Sequence, residues 1–302
     1  ARPAASLERR HADAQDAAAP GLGGKPRKQA ESPSALLQLA ALPKALRTLS
    51  ELTREAFIDE RTEVAAPFRA PNTILNGRIG GSRRFATQHY ALERFRRVAK
   101  AADVTINDVF LAISGAALRR YLLELDALPT RTLIGQVPVN VRPAGDSSVG
   151  NKLAFMYAHL HTEIADPVQR LHAVHASVAS GKARHESLPA AGVDSFTMML
   201  LAPYITSMML DLGGRVPPAA NLVISNVPGP RERLYFNGAR VDQIYGPSVL
   251  FHGQALNITM SSYVDEINIG YTGCRESLPS MQKLAVYTGE ALEELETALK
   301  LR

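Results

Sequence analysis

Apolar residues recur three and four apart along some stretches of the chain and alternate with polar ones along others, and the two periods predict different elements. Leu36, Leu39, Leu42, Leu46, Leu49 and Leu52 predict a helix over 34–60 with one apolar stripe. "PNTILNGRIGGSRRFAT" is dense in Gly and Asn and reads as a loop ending in the pair Arg83–Arg84. "HYALERFRRVAKAAD" places Leu92, Phe95, Val98 and Ala99 on one side of a second helix. "VTINDVFLAISGAALRRYL" is apolar nearly all round, so its helix is buried until Arg119 and Arg120 reach water. "TLIGQVPVNVR" reads as a buried strand. "KLAFMYAHLHTEI" reads as another, with Leu153, Phe155, Tyr157, His159 and His161 on one face and Ala154, Met156, Ala158 and Leu160 on the other. Helices are expected over 167–185 and 194–212. The last third is rich in strands. "NLVISNVPGP" is a strand running into a rigid turn. "RLYFNGARVDQIY" is a hairpin whose Asn237-Gly238 suits a type I′ turn. "ALNITMSSYVDEINIGYTG" is a second hairpin turning near Asp265, and a helix over 280–301 closes the chain. This mixture predicts an α/β (α+β) fold, a mixed sheet with covering helices.

The composition, 46% hydrophobic and 21% charged over 302 residues, is that of an ordinary globular protein with one large domain or two small ones. It divides the chain into three parts. Residues 1–34, rich in Ala, Pro and Gly, read as a disordered or flexible linker. Residues 35–66 read as a connector helix, and 67–302 as a folded domain. The single cysteine, Cys274, cannot form an internal disulfide, which favours a cytoplasmic setting. The first residue is Ala, as expected of a processed start or a portion of a longer chain, and no signal-peptide pattern follows it. "FTMMLLAPYITSMMLDL" is apolar, but Pro203 breaks it and Asp211 sits near its end, so it reads as a buried or membrane-surface helix. The net charge of +5 favours anionic partners in general. A nucleic acid is a poor choice, because the basic amino-terminal stretch also carries Glu8, Asp13, Asp16 and Glu31 and has no aromatic residue for stacking.

Familiar catalytic signatures are missing: there is no Gly-x-Ser-x-Gly elbow, no P-loop and no dinucleotide-binding glycine fingerprint. His159/His161 and His172/His175 could each share a face, but neither pair has a set of further ligands, so no metal is expected. Asn107-Asp108 opens the most apolar helix. Thr105 and Asp108 fit a capping box there, which leaves Asn107 without an assigned task.

The segments "LNGRIGGSRRFA", "TINDVFLAISGAALRRYL", "VPVNVRP" with the following "GNKLA", "NLVISNVPGP" and "ALNITMSSY…INIGYTGCRESLP" occur in this order. Together they resemble the C-terminal half of the bacterial wax ester synthase/diacylglycerol acyltransferase family, from about Pro67 to the end. The resemblance implies a chloramphenicol acetyltransferase-like, CoA-dependent acyltransferase fold, of which this is the C-terminal half. It implies transfer of a fatty acyl group from acyl-CoA, a substrate rather than a cofactor, to a diacylglycerol or long-chain alcohol. The family's general base is the second histidine of a His-His-x-x-x-Asp-Gly motif in the N-terminal half. No two of the eight histidines here are adjacent, so no catalytic residue is expected in this chain and that half is expected as its partner. By resemblance Asn107, Asp108, Asn226, Pro228 and Gly229 support the site, and Gly253 and Ala255 line the substrate pocket. Arg83, Arg84 and Arg142 are candidates for the CoA phosphates. His252, in "LFHGQALN", could be imagined as a substitute base, but nothing in the sequence positions it. Peripheral contact with the inner membrane or lipid inclusions is implied as well. The alternative is a non-catalytic protein of the same fold that binds acyl chains or a lipid surface.

Overall fold

The computed structural model describes residues 69–140, 153–186, 201 and 205–301. The stretches expected as linker (1–34) and connector (35–66), Arg142 and most of the helix expected over 194–212 lie outside them. Six strands form one mixed sheet in the order β1-β8-β7-β4-β2-β3. They are β1 Arg83–Ala91, β2 Ile134–Asn140, β3 Leu153–His159, β4 Leu222–Val227, β7 Leu256–Tyr263 and β8 Glu266–Cys274. The short strands β5 Tyr235–Phe236 and β6 Ala239–Arg240 make a separate hairpin. Its turn has φ of 48° at Asn237 and 79° at Gly238, the two positive values a type I′ turn needs. Among the described residues four long helices accompany the sheet: α1 Leu92–Ala101, α2 Ile106–Glu124, α3 Pro167–Glu186 and α4 Lys283–Ala298.

Two expectations need correction. The Gly- and Asn-rich loop ends earlier than its composition suggests. Arg83 already begins β1, which pairs with β8 from Arg83 opposite Cys274 to Ala91 opposite Glu266. As an edge strand, β1 exposes every second residue and fully buries only Tyr90, so its alternation is faint in the sequence. His161, expected to extend β3, has φ of 47° and lies beyond the strand's end at His159.

The sheet has two different faces. Leu222, Ile224, Ile258, Met260, Ile267, Ile269 and Tyr271 point to the helices and are buried with Val109, Phe110 and Ile113 of α2 and Leu284 and Leu292 of α4. The Tyr271 hydroxyl donates to Thr288 Oγ1 of α4 at 2.7 Å. Asn257, Thr259, Ser261 and Thr272 point the other way and are also buried, beneath the segment 241–250. There the Ser248 amide donates to Thr272 Oγ1 at 3.1 Å. Buried polar groups need such partners. Strands β2, β4 and β7 run parallel, so their carboxyl ends, at Asn140, Val227 and Tyr263, share one edge of the sheet.

At the opposite edge an asparagine pair ties four segments together. Asn76 Nδ2 donates to the carbonyls of Ala220, Asn221 and Gly253 at 3.1, 3.3 and 2.9 Å. Asn221 donates to Pro71 O and to Asn76 Oδ1, and accepts from the Ile134 amide.

Candidate functional site at the carboxyl edge of the parallel strands

In open α/β sheets, ligands sit outside the carboxyl ends of parallel strands. That edge receives the start of α2 here. Thr105 caps the helix: its hydroxyl accepts from the Asp108 amide, while Asp108 Oδ2 accepts from the Thr105 amide at 2.9 Å and its hydroxyl at 2.8 Å. The capping box expected from the sequence is therefore present. Asp108 is only 1% exposed and receives a further donor from α3, His175 Nδ1 at 2.8 Å from Oδ2. Its other oxygen, Oδ1, is buried without a partner.

Asn107, the preceding residue on the same turn, reaches β4. Its Oδ1 accepts a long hydrogen bond, 3.4 Å, from Asn226 Nδ2. Asn226 lies opposite Met260 in the β4–β7 pairing and so faces the helices. Two motifs 119 residues apart thus meet at one point. The turn that follows is held by contact: the Gly229 amide donates to Ser262 Oγ at 3.0 Å, and a side chain at 229 would come within 1.9 Å of Ser262 O. Gly229 is there because nothing larger fits. Pro228 beside it is exposed.

The other candidates lie elsewhere. Arg83 opposite Cys274, and Leu256 opposite Gly273, place Arg83 at the amino edge of β7, the far side of the sheet from Asn226. Eight residues of β7 separate the two edges, about 25 Å at strand spacing. Arg83 donates to the carbonyls of Gly80 and Ser82 at 2.6 and 3.2 Å, whereas Arg84, on the opposite face, donates to Gln282 Oε1 at 2.8 Å. Gly253 and Ala255 lie at this same amino edge. Gly253 has φ of 88° and lines a groove with Met208, Gly213, Pro217 and His252. Ala255 is fully buried, and its carbonyl accepts from the Cys274 amide at 2.9 Å. The structure therefore brings Asn107, Asp108, Asn226 and Gly229 together and leaves Arg83, Arg84, Gly253 and Ala255 as a separate group.

His252 is no base in this arrangement. Its Nδ1 accepts from the Ile79 amide at 3.0 Å, so a neutral ring carries its proton on Nε2, which faces Asp211 Oδ1 at 3.8 Å. His159, at the far end of β3, is pushed down to about 4, first by burial and then by neighbouring His161. Its ring meets that of His161 edge to face at 5.7 Å. His175 is the residue that sequence reasoning passed over: on pattern alone it was one of a pair on a helix face, and only the fold sets it against Asp108.

Comparison with known proteins decides the family. A model of the wax ester synthase/diacylglycerol acyltransferase catalytic domain matches residues 4–110, and one of the WS/DGAT C-terminal domain matches 149–296. The chain belongs to the wax ester synthase/diacylglycerol acyltransferase family. A putative diacylglycerol O-acyltransferase of Mycobacterium tuberculosis is 47% identical over 242 residues, which are 79% of this chain and 49% of the relative. The O-acyltransferase WSD of Acinetobacter baylyi is 41% identical over 261 residues, 86% of this chain and 56% of the relative. The solved wax ester synthase/diacylglycerol acyltransferase of Marinobacter aquaeolei VT8 superposes with a TM-score of 0.69 at 33% identity, covering 93% of this chain and 59% of that one. The fold is thus the chloramphenicol acetyltransferase-like one of the WS/DGAT acyltransferases. The chain spans about half the length of the curated relatives it matches. The catalytic-domain match ends at Phe110 and takes in both Asn107 and Asp108.

Proposed function

We propose that this chain is the C-terminal portion of an O-acyltransferase that moves a fatty acyl group from acyl-CoA to a diacylglycerol or a long-chain alcohol. In this reading a general base, supplied from outside the chain, takes the proton of the acceptor hydroxyl as it attacks the thioester carbonyl. CoA leaves as the thiol, and no cofactor takes part. The observation that carries the reading is the meeting of Asn107 and Asn226 at the carboxyl edge, in a chain of this family. An amide pair held there can orient a substrate carbonyl or hydroxyl without needing to change protonation.

The absence of adjacent histidines supports a base from the portion that the relatives have and this chain does not span. So does the surface beside the edge. Val227, Leu234, Tyr235 and Phe236 are 49, 42, 66 and 80% exposed, and large apolar side chains left in water are what a further part of the protein would cover. In this reading residues 67–302 are the C-terminal domain. A cytoplasmic enzyme in peripheral contact with a membrane or lipid inclusion suits such substrates. Met208, Met209 and Leu210 are exposed, and among the described residues no single helix is long and apolar enough to cross a membrane.

CoA release from palmitoyl-CoA, with hexadecanol or dioleoylglycerol as acceptor, tests the reading. The protein containing both portions turns over, and the 302-residue chain by itself does not. Turnover by the 302-residue chain would show that it holds its own base.

A further inference from the structure

Asp108 has more around it than a helix cap requires. A capping box asks of this side chain only that it reach back to the N-cap amide. Here it is 1% exposed, and a third donor, His175 Nδ1, comes from another helix and from 67 residues away. All three donors converge on Oδ2, leaving Oδ1 buried and bare. A buried carboxylate short of donors is costly, so losing one of the three matters.

The link acts at the start of α2, ahead of the buried Val109 and Phe110. Further along, Gly115 fixes the helix against the end of β3: a side chain there would come within 2.5 Å of Leu160 O. Ahead of that point the helix start projects to the carboxyl edge, where Asn107 meets Asn226 at 3.4 Å. His175 is the side chain that reaches this start from α3. The ring must carry its proton on Nδ1 to donate to a carboxylate, so the carboxylate fixes the ring and the ring fixes the carboxylate.

We propose that His175 is a positioning residue of the acyl-transfer site: by holding Asp108, it sets the start of α2 and with it the place where Asn107 meets Asn226. This rests on the acyltransferase reading above. Misplacing a positioning group by about an ångström can cost up to a hundredfold in rate.

The test uses the protein containing both portions. His175→Leu lowers kcat roughly tenfold or more while KM for acyl-CoA stays within about twofold. His175→Asn, whose amide nitrogen takes the place of Nδ1, restores most of the rate. Adding His175→Leu to Asn107→Ala lowers kcat no further, because the histidine acts through the asparagine. Amide hydrogen exchange over 105–110 is faster in His175→Leu than in wild type. Should His175→Leu fail to fold, His175→Gln is used, since its longer side chain does not reproduce Nδ1. An unchanged kcat, a fully additive double variant or unchanged exchange over 105–110 overturns the proposal. A wild-type enzyme without acyl transfer sinks the functional reading instead, and the exchange measurement still decides whether His175 braces the helix.

Discussion

A carboxylate taken out of water keeps its charge only through the donors gathered on it. Asp108 has gathered three and Asn107 only one long contact, so substitutions at these neighbours separate stability from activity. Asn107→Ala leaves the unfolding free energy from urea titration within about 0.5 kcal/mol of wild type, because the side chain is half-buried and weakly bonded. The same change lowers kcat in the protein containing both portions. Full activity would reduce the pair to a helix cap. A different residue governs acid stability. His159 is pushed down to about 4 by burial, against an ordinary value near 6.5. Between those values the unfolded ring binds a proton that the folded ring refuses, so stability falls as pH drops from about 6.5 towards 4. Allowing for the ring's partial exposure, the loss is on the order of 2 kcal/mol. Urea unfolding at pH 6.5 and 4.5 measures it. His159→Gln should show a smaller loss than wild type, and an equal loss would remove His159 as the cause.

Among the elements, close backbone approach does what side chains cannot. Gly229 lies so near Ser262 that a methyl group at 229 forces the turn away from β7. Gly229→Ala should lower stability by about 1–3 kcal/mol, while Pro228→Ala, on the exposed side of the same turn, costs less. Thermal unfolding of the two variants makes the comparison, and equal losses would mean that the turn tolerates the displacement. Most elements were legible in the sequence because their patterns are strong. Asn-Gly marks the β5–β6 turn, apolar residues on every side mark α2, and the long β7–β8 hairpin turns near Asp265 as its pattern indicates. β1 was not legible at its start. Its outer face, Arg83, Phe85, Thr87, His89 and Ala91, is in water, so composition hides the alternation that pairing with β8 reveals.

Across the whole molecule, the sequence could name the motifs but not say which of them meet. Asn107 and Asn226 come together only because α2 begins at the edge where β4 ends, and Arg83 and Gly253 fall at the other edge because β1 and β7 start there. Neither fact is encoded in local spacing; both follow from strand order. The same order has a kinetic consequence for the asparagine pair. Asn76 bonds to carbonyls 144, 145 and 177 residues further along the chain. Contacts of such separation cost much loop entropy and close late. The pair can form only after β2, β4 and the approach to β7 are in place, so it acts as a latch set at the end of folding. Asn76→Ala should then speed unfolding by roughly the whole of its destabilisation and leave the refolding rate close to wild type. Stopped-flow refolding and unfolding in urea read the two rates separately. A slower refolding limb would place Asn76 in the nucleus, among the first contacts made and not the last.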